Sequence, residues 1–510
     1  MAPVKAALAI VSLCFGNLRG VIGREHSVEE AQGLENACSI RWAWSGALQA
    51  TTAKVRARIE CDTVLQTDHA KLQVNELHGA ERGSWIEADS IGSYNMAAFS
   101  LKDLRPETRY SYVIKYLREG KEETEPYIGE LRTPGVVGEP LDFSFAFASC
   151  ADNHSNSVIF DVIRKKDPLF FLHTGDLHYG NIAQNEERLF HQLYNQVMSN
   201  PRQRQLFAAL ALAYMWDDHD FGPNNSHRGS PGREASIRAF LEAVPAYDLP
   251  AFASSVDSVE KLPAGELPSI FFSFDIGRVH FVVTDTSSSK EPGQTALGNA
   301  QLAWFKQELE KVAIGDQFLI WVSTMPWVTV HSKWAEFHEE RSEIVSTIKR
   351  LGLASRMVML SGDAHMLAVD DGENSPGGFP VFQAAALDAK PTCKGGPYSH
   401  GIYPGRGQYG WIDVRDDGRN ICIAFSGRRV AQDGSEKVLL QFDTCDSTQS
   451  SPRQPYYPSP PWVEKLWKWC KKSVLPVLPG GETYIMVYFD SFSMSAAMMW
   501  DFVKKTLFLA

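Results

Sequence analysis

The chain has 510 residues, 44 % of them hydrophobic and 22 % charged, with a formal net charge of −11. That length is more than one ordinary core accommodates and implies two or three domains. The acidic balance, without a long Lys/Arg run, excludes a nucleic-acid partner as the leading expectation.

Residues 1–22 place Lys5 before the apolar run AALAIVSLCFG and then small and polar residues, the layout of a secretory signal peptide. The expectation is a protein of the secretory pathway, secreted or membrane-associated. Removal of that segment takes Cys14 and leaves Cys38, Cys61, Cys150, Cys393, Cys422, Cys445 and Cys470. In an oxidising compartment six of these can pair, and one is left for another task.

Residues 36–135 read as all-β. TAKVRARIEC and YSYVIKYLR alternate at the strand period, and LKDLRPETRYSYVIKY leads into Tyr110 and Tyr112 as a tyrosine corner leads into its strand. The expected fold is a fibronectin type III-like sandwich ending at GELRTPG. It offers no catalytic set, so its expected role is that of a scaffold or lid.

Residues 140–447 change to strands alternating with amphipathic helices. FSFAFASC, PLFFLHTGD, ALAYMWDD, VHFVVTDT, FLIWVSTMP and RMVMLSGDA are buried-strand runs ending in polar or small residues. ALGNAQLAWFKQELEKV and AEFHEERSEIVSTIKRLG read as helices, and SPGREASIRAFLEAV as a helix with a Ser cap and Pro in its first turn. The reading is an α/β layered domain. Residues 448–510 hold a Pro-rich spacer, SSPRQPYYPSPP, and then WVEKLWKWCKKSV, an amphipathic tail that suits a membrane surface or the protein's own face.

In open α/β sheets ligands bind at the carboxyl ends of strands. Here those ends carry Ser149 and Cys150, then Asp176 with Tyr179 three residues on, then Asp217, Asp218 and His219, and later Asp363 and His365. SC, GD or GDAH taken alone is weak, and the run WDDHD alone would pass as a solvated loop. A thiol, a phenol, an imidazole and several carboxylates at successive strand ends are better explained by metal, because adjacent carboxylates resist burial unless a cation compensates them.

FAFASC, FFLHTGDLHYGN, YMWDDHDFGPNN, VVTDTSS, GNAQLAWFKQEL and VMLSGDAHMLAVDDG, in this order, resemble the PhoD-type alkaline phosphatases of the metallophosphoesterase superfamily over roughly residues 141 to 430. The β segment before them is similar to that family's N-terminal module. The commoner Asp-x-His and Gly-His-x-His segments of the superfamily are replaced by Ser149-Cys150 and Ser-Gly-Asp363-Ala-His365. Purple acid phosphatases share the Asp-x-x-Tyr spacing, but their Gly-Asn-His-Glu segment has no counterpart. The resemblance implies a metallophosphoesterase-type αββα domain behind the β-sandwich, and iron on one side of the site with calcium on the other.

The donor types point the same way. Cys150, Tyr179 and His365 form a strongly donating set that suits Fe3+, while Asp217, Asp218 and Asp363 offer hard oxygens for Ca2+ or another divalent cation, with Asp176 between the two. Metal would also account for the odd cysteine. The expected reaction is hydrolysis of a phosphomonoester or phosphodiester by in-line attack of a hydroxide activated in a binuclear centre. His219 is either the general acid for the leaving alkoxide or an aspartate's hydrogen-bond partner. Asn224 and Asn225 offer an amide oxygen to metal or substrate, or shape a turn, and Asp220 supports its neighbours.

Ser287, Ser288 and Ser289 stand where the family often has Arg and Tyr, and Met325 and Trp327 where a polar group would be expected. That departure implies an altered substrate preference. His173 is expected to be a hydrogen-bonded core residue, and His331 and His338 ordinary histidines. The sequons at Asn153 and Asn224 lie too close to the site for glycosylation. The alternatives carried forward are a phospholipase D-like diesterase that uses the tail at membranes, a nuclease or nucleotidase, and a non-catalytic adhesion protein. Expected partners are a small phosphoester or phospholipid, the chain itself being a monomer.

Overall fold

The computed structural model describes residues 38–446, except 62, 66, 78, 80, 81, 123, 124, 251–269 and 393. The signal segment with Cys14, Cys393, Cys470 and the tail after 446 lie outside the described residues. Among those described, no helix is long and apolar enough to cross a membrane.

The molecule is a mixed α/β fold built on sheets. Five-residue strands Phe170–Thr174, Ala211–Met215 and Met357–Ser361 are buried at every position, as continuous apolar runs should be when a parallel sheet is covered on both faces. Phe143–Ala148, Phe170–Thr174 and Ala211–Met215 run parallel in one sheet. Val279–Thr284, Phe318–Ser323, Met357–Ser361 and Val381–Ala384 run parallel in a second. Parallel strands all deliver their carboxyl ends to one edge, so both sheets present their functional loops together.

The two sheets meet face to face through aromatics. The Phe145 and Phe281 rings lie 5.6 Å apart edge to face, and Phe382 stacks on Phe425 at 4.8 Å. Helices Gly298–Ile314 and His338–Leu351 cover the outer face of the second sheet, where Phe305 packs on Trp321 at 4.7 Å. Helices Glu187–Ser199, Pro201–Ala209 and Arg233–Ala243 cover the first, with Tyr214 5.6 Å from Phe240. The layers are therefore helices, sheet, sheet, helices.

The front strands alternate inside and outside, as half-buried strands do: Ala53–Glu60 and Arg109–Arg118 expose every second residue more than its neighbours. Tyr110 accepts a hydrogen bond at Oη from the Arg105 N–H, five residues upstream, at 2.7 Å. Ala53–Glu60 continues the first sheet, whereas Arg109–Arg118 belongs to a separate five-stranded sheet. Ser39–Gly46 runs parallel to Ala211–Met215 through Gly46 and Leu212, which extends the first sheet to ten strands. Gly46 is required there, because a Cβ would meet Leu212 O and Pro245 O at 2.6 Å. Trp42 donates to Asn195 Oδ1 at 2.9 Å and Trp44 to the Ala243 carbonyl at 2.8 Å, so both indoles anchor the front strands onto the helices.

Two local expectations change. The helix expected from SPGREASIRAFLEAV begins at Arg233 on Gly232, without a side-chain cap. Ser230 and Pro231 form the turn before it, where Ser230 Oγ instead accepts from His227 N–H. His173 is fully buried, but neither ring nitrogen finds a hydrogen-bond partner. Burial holds its pKa down to about 3, so the neutral ring packs edge-on against Phe171 and Tyr214 as an aromatic does.

Candidate metal centre

Six strand ends converge. Cys150 follows Phe143–Ala148, Asp176 and Tyr179 follow Phe170–Thr174, and Asp217 to His219 follow Ala211–Met215. Across the sheet interface Thr286, Thr324 and Asp363 follow their own strands. A backbone bond stitches the two edges, Leu387 N–H donating to Ser149 O at 2.9 Å, while Gly362 N–H donates to Thr324 O at 3.0 Å between neighbouring loops of the second sheet. Gly175 and Gly362 permit this approach, since a Cβ at 175 would sit 2.5 Å from Asp217 Cβ and one at 362 would sit 2.6 Å from Ser149 Oγ.

Left-handed backbone at non-glycine residues is costly, and it clusters here. Cys150, Asp176, Asn181, Asn225, Lys333, Asp363 and His365 all have φ between 51° and 66°. Such strain persists where the surroundings over-determine it, which is commonly at a functional site.

The side chains meet in overlapping donor sets. Cys150, Asp176 and His365 each place a ligand atom within 4.8 Å of the others, and so do Asp176, Asp217 and Asp363, and Asp176, Asp218 and His219. Asp176 belongs to all three sets. Tyr179 joins the first, its hydroxyl lying 3.0 Å from His365 Nε2. The structure thus brings together Cys150, Asp176, Tyr179, Asp217, Asp218, His219, Asp363 and His365.

Second partners orient the imidazoles. His365 Nδ1 donates to the Lys390 carbonyl, and His219 Nδ1 to Asn181 Oδ1 at 2.7 Å. The Asn181 amide is itself fixed by donating to the Tyr179 carbonyl at 3.1 Å. Each ring therefore carries its proton on Nδ1 and keeps the Nε2 lone pair for a ligand.

The electrostatics call for cations. Burial and the neighbouring Asp218, Asp220 and Asp363 push the Asp176 carboxyl well above its ordinary range, and burial with Asp218 and Asp176 does the same to Asp217. Burial likewise raises the Cys150 thiol and the Tyr179 phenol, reinforced by Asp176. Asp176 Oδ1 and Asp218 Oδ1 are buried without a hydrogen-bond partner. A buried carboxylate oxygen with no donor is expensive in the absence of a cation, so this donor set fits a metal centre. Burial opposes the charged form of His219 and, against Asp218, leaves it below its ordinary value.

Lys333 and Lys394 were not foreseen. Their ammonium groups lie 3.0 and 2.7 Å from the Asp363 carboxylate, largely out of solvent. Burial alone would lower Lys333, but Asp363, Asp218 and Asp217 outweigh it and hold it above its ordinary value. Neither HSKWAEF nor TCKGG has a periodic pattern that would single out its lysine.

Other expected residues take structural places. Asp220 caps its own turn, accepting from Asp217 N–H at 3.1 Å and from His178 N–H at 2.9 Å, and burial raises its pKa to about 7. Asn225 offers its backbone N–H to Asp218 Oδ2 at 2.5 Å, while Asn224 is exposed. Ser287 and Ser288 donate backbone N–H groups to Asp285 Oδ1, which also accepts from Trp216. Met325 and Trp327 are buried in the core outside the second sheet. Those positions tie the loops down from within. Asn153 accepts from Tyr179 N–H at 2.5 Å, and His331 and His338 are exposed. Among the described residues Cys150 is a free thiol, with Cys38 bonded to Cys61 and Cys422 to Cys445.

Residues 145–386 match the family model of PhoD-like phosphatases. The solved structure of PhoD is similar over 86 % of this chain and 98 % of its own, with a TM-score of 0.62 at 15 % identity. Purple acid phosphatase PPD1 from yellow lupin (Lupinus luteus) seeds is similar over 82 % of this chain and 78 % of its own, with a TM-score of 0.53 at 11 % identity. No curated protein matches the sequence significantly.

Proposed function

We propose that the chain, whose residues 145–386 match the family model of PhoD-like phosphatases, hydrolyses phosphate esters in a binuclear metal centre at these strand ends. The observation that carries the reading is Asp176, a buried carboxylate common to three donor sets with one oxygen unpartnered. Cys150, Tyr179 and His365 would hold an iron-type ion, and Asp217, Asp218 and Asp363 a calcium-type ion, with Asp176 between them. Metal held by these residues would supply polarisation of the phosphoryl oxygens and a more acidic water for in-line attack.

The chain's own groups do the rest. The buried walls exclude bulk water, which strengthens every charge interaction with an anionic ester. Lys333 and Lys394 are placed to take a phosphoryl oxygen once Asp363 is occupied by metal. His219, oriented by Asn181 through Nδ1, presents its Nε2 lone pair to a ligand position, and would protonate the leaving oxygen only after first taking a proton on Nε2. The front strands, read as a fibronectin type III-like sandwich from the Arg105–Tyr110 bond and their alternation, act as scaffold. A diesterase working on phospholipid, brought to membranes by residues 448–510, is an elaboration of the same chemistry.

Elemental analysis of the purified chain and of Cys150→Ala, beside assays of p-nitrophenyl phosphate and its bis ester, tests the reading. The expected outcome is bound iron with calcium in the parent, and loss of both iron and turnover in the variant. The ester preferred decides between mono- and diesterase. A parent that binds neither ion and turns over neither ester after both ions are supplied would discard hydrolysis in favour of adhesion.

A further inference from the structure

A second cluster of ligating side chains lies where the front strands meet the helices. Glu187 and His191 are four residues apart on helix Glu187–Ser199, so they share one face. Glu242 reaches the same point from helix Arg233–Ala243. One oxygen from each glutamate and one nitrogen of His191 lie within 4.8 Å of one another. His191 is only 6 % exposed, and its Nε2 is buried with no hydrogen-bond partner.

The spacing is informative. His191 Nε2 lies 3.6 Å from Glu187 Oε1 and 3.5 Å from Glu242 Oε2. The protein supplies its own comparison in His280, which sits between Asp275 and Glu308 at 2.7 and 2.9 Å. Those are the lengths of charge-assisted hydrogen bonds. The distances at His191 are too long for that, yet they match the separation of roughly 3.3–3.5 Å between neighbouring ligands of a tetrahedral ion with bonds of about 2.0–2.2 Å. The surroundings hold the donors in place. Tyr94 stacks on the imidazole at 4.1 Å and donates its N–H to Glu242 Oε1 at 3.0 Å, which leaves Oε2 directed at His191. Gly92 leaves no room for a Cβ against that same Oε1, at 2.2 Å. Arg56 and Arg58 on the front strands face Glu242 electrostatically.

From this geometry we infer that Glu187, His191 and Glu242 form a structural binding site for zinc or a zinc-like first-row divalent ion, separate from the phosphatase centre. One imidazole and two carboxylates suit such an ion, and a water completes the fourth position. The ion ties the two helices together beneath the front-strand turn that carries Tyr94. The inference is independent of the hydrolytic reading.

Zinc titration of chelator-stripped full-length protein tests it, in a background carrying Cys150→Ala and Asp176→Asn so that the strand-end centre cannot contribute. One equivalent of zinc should bind, with a rise in melting temperature, and both effects should vanish when Glu187→Gln is added. No zinc uptake in that background, or equal uptake with Glu187→Gln present, overturns the site and leaves a protonated histidine between two glutamates. Should the background fail to fold by circular dichroism, the same comparison is made in the parent, where Glu187→Gln is expected to bind one equivalent less. Turnover by fully loaded Glu187→Gln should equal the parent's, so failure of this site does not touch the phosphatase.

Discussion

Lys394 and Lys333 change what Asp363 can do. Two ammonium groups on one buried carboxylate keep it ionised, and burial would otherwise protonate it. If they also hold the ester, Lys394→Met should lower kcat/KM roughly ten- to a hundredfold, the worth of a hydrogen bond to a charged group, while the bound-metal content stays near the parent's. Unchanged kcat/KM would assign Lys394 to structure alone. The residues legible in the sequence were those that stand directly after a strand, because the strand's apolar run marks its own end: Cys150, Asp176, Asp217 and Asp363 are found by that rule. Lys333, Lys394, Asn181 and Asn153 were not. They sit in loops brought in by tertiary folding, where no periodicity announces them. His173 misled for the opposite reason, since its place in a strand was clear but the absence of a partner depends on what the neighbouring strands supply.

Among the elements, the strand Val279–Thr284 shows how one side chain couples three segments. His280 joins Asp275 on the paired strand Phe272–Ile276 to Glu308 on helix Gly298–Ile314. Burial opposes its charge, but the contacts with Asp275 and Glu308 prevail and raise its pKa. Glu308, despite burial, is lowered by His280 and Lys311. A raised histidine stabilises the fold fully below its unfolded pKa of about 6.5, and that contribution is lost as pH rises through the folded value. The lowered glutamate contributes above its unfolded pKa of about 4.3 and loses this as pH falls through its own folded value. The pair therefore contributes most in mildly acidic solution. Denaturant titration of His280→Gln should show a larger loss of stability near pH 6 than near pH 9, and an equal loss at both would refute the linkage. Strand and helix periods exposed these elements in the sequence, whereas the capping of Arg233–Ala243 was misread because Ser and Pro serve a preceding turn as well as a helix start.

Among the described residues, the β segment and the α/β segment are joined along a seam. Composition and the change of period near residue 140 separated a β segment from an α/β segment, yet one hydrophobic core contains Trp42 and Trp44 together with Phe145 and Phe281. Which strand of the front segment would pair with Ala211–Met215 was not readable, because a single parallel contact at Gly46 leaves no trace in the pattern. A shared core predicts a single calorimetric transition for the described body. Trp44→Ala should lower that transition as a unit, by about 3–5 kcal/mol of stability, without splitting it. Two separable transitions would show that the seam is weak.

That seam also bears on how an ester gets in and out. Enzymes assembled from loosely joined domains close around their substrates by swinging one body against another about a few hinge residues. Here the strand that would have to swing is hydrogen-bonded into the sheet that carries Asp217 and Asp218, and two tryptophans anchor it to the covering helices. The front strand is accordingly held against the layered segment and is not a separately swinging body. If the chain hydrolyses phosphate esters as proposed, adaptation to different esters falls to the loops around Asn225 and Lys394, whose exchange for longer or shorter segments would retune the site without disturbing its frame.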